Sequence, residues 1–138
     1  MREAQSVYVD TGAWIALALT KDPHHERARE AWAELVQAGA RLVTSVPVVL
    51  ETFTFLDRQA TREVALAWRE SLERVSHLCV LGVTPRELRD AWAFFERRDL
   101  HKLSAVDAVS FVLMRRGHIR MAFAFDHHFA TVGFRLVG

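Results

Sequence analysis

The chain has 138 residues, 51% of them hydrophobic and 25% charged, with a net charge of +1. That balance excludes a disordered chain, which could not bury enough apolar surface to offset its ordering entropy, and a broadly basic nucleic-acid coat. No apolar run approaches the roughly 20 residues that a membrane span requires. Residues 1–5 contain no apolar stretch of the kind a secretion signal carries, and the lone Cys79 suits a reducing, cytoplasmic setting. Without repeats, low-complexity segments or a Gly/Pro/Ser-rich linker, residues 1–138 read as one domain.

In chain order, Val7-Tyr8-Val9 is a short apolar run that ends at Asp10 and reads as the first strand. A helix is expected from about Gly12, carrying Trp14, Ile15, Leu17 and Ala18. Asp22-Pro23 has the form of an N-cap followed by proline, which needs no amide donor at the first helical position. The helix it opens places Ala28, Ala31, Trp32, Leu35 and Val36 on one face and ends near Gly39. Leu42-Val43-Thr44 is the second strand. Ser45-Val46-Pro47 then starts a helix with Val46, Val49, Leu50 and Phe53 at i, i+3, i+4 and i+7. Another begins at Thr61 and turns Val64, Trp68, Leu72 and Val75 inward.

Leu78-Cys79-Val80-Leu81 is the third strand. Thr84-Pro85-Arg86-Glu87 is a capping box with proline at the first position, and its helix is expected to bury Leu88, Ala91, Trp92 and Phe95. Ser104 caps a helix that is apolar nearly all round and should be central; it stops at Arg115-Arg116-Gly117. Residues 119–125 form the fourth strand and residues 134–137 the fifth. Strands that alternate with helices, each strand nearly continuous in apolar residues, predict a three-layer α/β/α domain on a mainly parallel sheet of five strands. The spacing of Trp32, Trp68 and Trp92 assigns them to packing rather than to base stacking.

Open parallel sheets carry their sites outside the carboxyl ends of the strands. Asp10 follows the first strand and Asp126 the fourth. Glu51 lies in the second turn of the helix after the second strand, and Asp107 lies three residues into the central helix. Each has a plain structural alternative. Asp10 is placed to cap a helix, Asp107 fits a capping box with Ser104, Glu51 could face solvent, and Asp126 could open a turn. Capping and turns do not explain four acids converging on one sheet edge. Carboxylates that close cannot all ionise without a cation or a shared proton, and an all-oxygen anionic pocket favours Mg²⁺ or Mn²⁺ over zinc. Such ions activate water for phosphodiester hydrolysis.

The blocks Val-Tyr-Val-Asp10-Thr11, Val-Val-Leu-Glu51-Thr52, Leu-Ser104-Ala-Val-Asp107-Ala and Ala-Phe-Ala-Phe-Asp126-His-His-Phe129 resemble the signature blocks of PIN-domain nucleases, in order and over essentially the whole chain. They are most similar to VapC-like ribonuclease toxins of type II toxin–antitoxin systems. The resemblance implies that Asp10, Glu51, Asp107 and Asp126 are the metal-binding and catalytic acids, with Mg²⁺ or Mn²⁺ as cofactor. It further implies Thr11 and Ser104 as hydrogen-bonding neighbours of the site, a strand order of 3-2-1-4-5, a homodimer joined through the early helices, an RNA substrate and a cognate antitoxin. Asp99 sits where related toxins often carry an acid. One departure is Ala124, two residues before the fourth acid, where many members have Thr or Ser.

The histidine pairs His24-His25 and His127-His128 are not chelates by themselves, since neighbours on a helix point about 100° apart, and a surface position is expected. His127 could reach RNA phosphate. Arg97, Arg98 and Lys102, with Arg115 and Arg116, could form a local basic rim, although the last two also suit a helix C-terminus. Two other functions remain open from sequence: a PIN nuclease of RNA processing without an antitoxin, and a non-enzymatic receiver-like domain with an acidic pocket. The receiver reading lacks its lysine, because neither Lys21 nor Lys102 ends a late strand.

Overall fold

The structure is a computed structural model that describes residues 5–138; the expectation of no leader in residues 1–4 lies outside the described residues. β1 (Ser6–Val9), β2 (Arg41–Ser45), β3 (Leu78–Leu81), β4 (Met121–Phe123) and β5 (Arg135–Val137) form one sheet in the order β3-β2-β1-β4-β5. All four pairings are parallel, so every strand ends at the same edge. Val7, Tyr8 and Val9 are buried in succession. Consecutive strand residues face opposite sides, so both faces of the sheet centre are covered. The helices are α1 (Thr11–Ala18), α2 (His25–Gln37), α3 (Val46–Gln59), α4 (Arg62–Leu72), α5 (Pro85–Ala91), α6 (Ala105–Arg116) and α7 (His128–Val132), with a 3₁₀ turn over Trp92–Glu96. Among the described residues, no helix is long and apolar enough to cross a membrane.

The helix starts follow their cap chemistry. Ser45, Thr61 and Ser104 each accept a hydrogen bond from the amide three residues on, and Thr84 with Glu87 closes a reciprocal capping box. The central helix is α6, buried along most of its length, with Phe111 packed edge-on against Phe94 and Phe129. Trp14 lies against Trp32 and Trp68.

Several boundaries and faces differ from the sequence reading. The Asp22-Pro23 pair does not start α2; Asp22 instead accepts from the His24 amide at 2.8 Å, closing a turn before the helix begins at His25. β4 spans three residues rather than 119–125 because the chain leaves the sheet after Phe123, and β5 starts at Arg135 because the Phe134 amide is bonded to Phe129. On α3 the buried stripe is Val48, Thr52 and Leu56, while Val46 and Leu50 are exposed. Val36, Leu88, Trp92 and Phe95 are also exposed; after Ala91 the tighter 3₁₀ winding turns Phe94 into the core in their place. The edge strand β3 leaves Cys79 and Val80 in solvent.

A buried polar network ties the centre together. The Tyr8 hydroxyl donates to Ser45 Oγ at 2.8 Å and stands 2.7 Å from Ser110 Oγ. With the Tyr8 proton on Ser45, the single Ser110 proton has the Tyr8 oxygen and the Val106 carbonyl as its two acceptors, and Thr44 donates to the Val9 carbonyl while accepting from the Trp14 indole. Tyr8 precedes Asp10 by two residues on β1, and Ser110 follows Asp107 by three on α6. The bond between them therefore sets the face of α6 that carries Asp107 against the end of β1 that carries Asp10.

Candidate active site

Asp10 takes the N-cap position of α1, yet its carboxylate makes no capping hydrogen bond; the residue is 4% exposed and its Oδ1 has no partner among the described residues. Burial pushes its carboxyl up to about 7, the Thr11 amide opposes this, and the charges of Glu51 and Asp126 add to it. Asp107 is likewise buried, and only half of the expected capping box forms: Ser104 Oγ accepts from the Asp107 amide at 3.0 Å, with no return bond from the carboxylate. Burial, then the charges of Asp10 and Asp126, raise the Asp107 carboxyl far above the ordinary range. One oxygen of Asp107 and one of Asp126 lie within 4.8 Å of each other, too close for both to ionise freely, so the more buried Asp107 is pushed up while Asp126 is held down.

Asp126 does not follow β4 directly, as the sequence reading had it, but comes after Ala124 and Phe125. Its Oδ1 accepts from the His128 amide at 2.9 Å, so the backbone turn orients it without any hydroxyl at position 124. Although burial works against ionisation, the His128 amide, the neighbouring Asp107 carboxyl and the His128 ring together hold Asp126 below the usual carboxylate range. Glu51, a half-buried residue of α3, is near enough for its charge to press on both Asp10 and Asp107. The four acids thus feel one another's charge at the carboxyl edge of the sheet, and among the described residues the close group of donor atoms, all within 4.8 Å, is that of Asp107, Asp126 and His128 rather than the four acids. A concavity at the opposite edge, lined among others by Ser6, Arg120 and Arg135, has no carboxylate among the described residues that line it.

The surrounding polar residues divide. Thr11 is buried, with its hydroxyl unpartnered. Asp99 is taken up by Arg97 in a two-pronged pair at 2.6 and 2.9 Å, at the surface. Arg116 bonds Asp90 of α5, and the Arg115 guanidinium sits over the Phe94 ring. These contacts leave Arg98 and Lys102 without an ion pair among the described residues, and His127 is exposed 3.9 Å from Asp126.

Sequence reasoning missed His128. The surface position expected for both histidines of its pair holds for His127, but His128 is 4% exposed. Its Nδ1 lies 2.9 Å from Asp126 Oδ1, and one donor atom from each of Asp107, Asp126 and His128 falls within 4.8 Å of the others. What distinguishes the two is the His101 carbonyl, which takes the ring of His128 and leaves His127 in solvent, a contact from a distant segment that the sequence of the pair does not signal.

Four buried or half-buried acids and a histidine, from the loops after β1 and β4, from α3 and α6 and from the start of α7, lie on a parallel α/β sheet, and the PIN-domain model matches residues 7–135. The chain belongs to the PIN-domain family. It is 35% identical over 132 residues to the 23S rRNA-specific endonuclease VapC20 of Mycobacterium tuberculosis, covering 93% of this chain and 95% of that one. The crystal structure of VapC20, described as a sarcin–ricin loop-cleaving toxin, superposes with a TM-score of 0.81 at 33% identity, over 93% of this chain and 95% of the other. The fold is also that of VapBC2 from Rickettsia felis (TM-score 0.70, 11% identity, 96% and 97% covered) and of VapBC from Salmonella typhimurium (0.67, 16%, 96% of each). Both of those were solved bound to DNA.

Proposed function

We propose that the chain is a metal-dependent endoribonuclease and the toxin of a toxin–antitoxin pair, active in the cytoplasm. The observation that carries this reading is the buried acid cluster, in which Asp10 Oδ1 has no partner and the Asp107 carboxyl is driven to keep its proton. Such a site is unfavourable alone and becomes favourable when a hard divalent cation neutralises it. The acidic, mostly oxygen donor set fits Mg²⁺ or Mn²⁺, held by Asp10, Glu51, Asp107 and Asp126. When bound, the ion supplies a water of lowered pKa and charge to offset that developing on the phosphate.

The chain's own residues do the rest. The four carboxylates hold the ion at the sheet edge, and Asp126 is oriented by the His128 amide. Thr11 has a free hydroxyl beside Asp10, and Ser104 fixes the turn that presents Asp107. Arg98 and Lys102 are exposed cations suited to phosphate, and His127 is an exposed donor beside Asp126. The likeness to VapC20 supports a ribosomal RNA loop as substrate. Exposed Leu50, Phe55, Leu66, Trp92 and Phe95 provide apolar surface for an antitoxin and for a second copy of the chain.

The test is cleavage of a ribosomal RNA fragment containing the sarcin–ricin loop, with Mg²⁺ or Mn²⁺, with EDTA, and with Asp10→Asn. Cleavage is expected with metal only and is lost in the variant. Equal cleavage in EDTA overturns the metal mechanism, and a folded, fully active Asp10→Asn removes Asp10 from the site.

A further inference from the structure

We propose that His128 is a nitrogen donor to the metal, and that its imidazole tilts the site toward Mn²⁺ over Mg²⁺. The inference rests on the acids being metal ligands, and it adds a fifth group of different chemistry to them.

The orientation of the ring is set from outside the site. Nε2 of His128 lies 2.7 Å from the carbonyl oxygen of His101. A carbonyl only accepts, so Nε2 carries the hydrogen, and in the neutral ring Nδ1 is the lone-pair nitrogen. That Nδ1 is fully buried, has no hydrogen-bond partner among the described residues, and lies on the side of Asp126, in the residue group that also includes Asp107. It stands 2.9 Å from Asp126 Oδ1, but the oxygen lies off the direction a ring N–H would need. Two lone-pair atoms held this close repel unless something positive lies against both. Donors at right angles around an ion, on bonds of about 2.1 Å, are about 3 Å apart, which matches this separation. An imidazole whose other nitrogen is tied to a backbone carbonyl is the usual arrangement of a ligating histidine.

No other histidine near the site combines these features. His24 is stacked on Phe125, and the ring of His25 is bonded to the Ala16 carbonyl through Nδ1. His127 is 81% exposed in its side chain and its nearer nitrogen is 3.9 Å from Asp126. The consequence for ion choice follows from ligand chemistry. Mg²⁺ is reluctant to exchange oxygen for nitrogen, whereas Mn²⁺ accepts an imidazole readily.

The experiment is pulsed EPR on the full chain loaded with Mn²⁺, together with Mn²⁺ and Mg²⁺ affinities. Wild-type protein is expected to show modulation from a coordinated ¹⁴N, converted to the ¹⁵N pattern after growth on ¹⁵N-histidine. His128→Gln keeps an amide donor for the His101 carbonyl but removes Nδ1. It should lose the nitrogen signal and about tenfold in Mn²⁺ affinity, with Mg²⁺ affinity changed far less. His127→Gln should retain both. Wild-type protein that binds Mn²⁺ without nitrogen modulation overturns the role of His128 and leaves the acid site standing. Absence of any Mn²⁺ or Mg²⁺ binding overturns both. The wild-type spectrum decides the matter even if His128→Gln does not fold.

Discussion

Asp107 separates a helix-start role from a ligand role by the sign of one substitution. As a capping residue its carboxylate would stabilise α6, and replacement by Asn would cost a few tenths to about 1 kcal/mol. The carboxylate makes no such bond, and it lies buried among acids that push its proton affinity up. Whether it stays ionised against them or takes up a proton on folding, it costs free energy that a neutral amide avoids. Asp107→Asn should therefore raise the metal-free Tm by a few degrees, about what 1 kcal/mol gives a domain of this size. It should also blunt the further rise on adding Mn²⁺. Thermal melts of both proteins, with and without the ion, check this. A destabilised metal-free variant with an undiminished Mn²⁺ shift would assign Asp107 to the helix start alone.

Strand β1 and helix α6 hold the acids at their working separation through the Tyr8 hydroxyl, which joins Ser45 and Ser110. Removing that hydroxyl leaves each serine another partner, since Ser110 still donates to Val106 and Ser45 still accepts from the Val48 amide. Tyr8→Phe should then cost only about 1 kcal/mol, the net worth of a hydrogen bond. Thr84→Ala, which breaks the capping box of α5, should cost about the same. The two differ in what they disturb. Tyr8→Phe frees α6 to shift against β1 and should lower Mn²⁺ affinity, whereas Thr84→Ala should leave it unchanged. Urea unfolding with parallel Mn²⁺ titrations measures both quantities. Equal affinities in the two variants would mean that packing alone positions the acids.

Across the whole molecule, the buried acids reverse the usual effect of pH on stability. Asp10 is pushed up to about 7 in the folded state and returns to the ordinary value of about 3.9 when the chain unfolds. Between those values the native state binds more protons than the unfolded one, so the contribution of Asp10 is lost as pH rises. Asp107 extends the same trend to higher pH. Asp126 is shifted downward, and its opposite contribution falls below the ordinary carboxylate range, outside this window. The metal-free protein should accordingly have a higher urea midpoint at pH 5 than at pH 8. Saturating Mn²⁺, which binds the ionised form, should remove or invert that difference. A metal-free midpoint that is higher at pH 8 would show that the acids are not desolvated as described.

What local chemistry dictates is legible in the residues themselves. Ser45, Thr61, Thr84 and Ser104 start helices where their spacing predicts, because a cap bond spans only three residues. The acids after β1, in α3 and in α6 fall at one edge because parallel strands must all end there. Contacts between distant segments decide the rest. Val46 and Leu50 satisfy helical periodicity, yet the partners of α3 cover Val48, Thr52 and Leu56. Trp92 and Phe95 stay outside because α5 tightens into a 3₁₀ turn. His127 and His128 are chemically identical neighbours, so nothing within a few residues could tell them apart. The distinction comes from the His101 carbonyl, 27 residues earlier, which takes the ring of one and leaves the other in water.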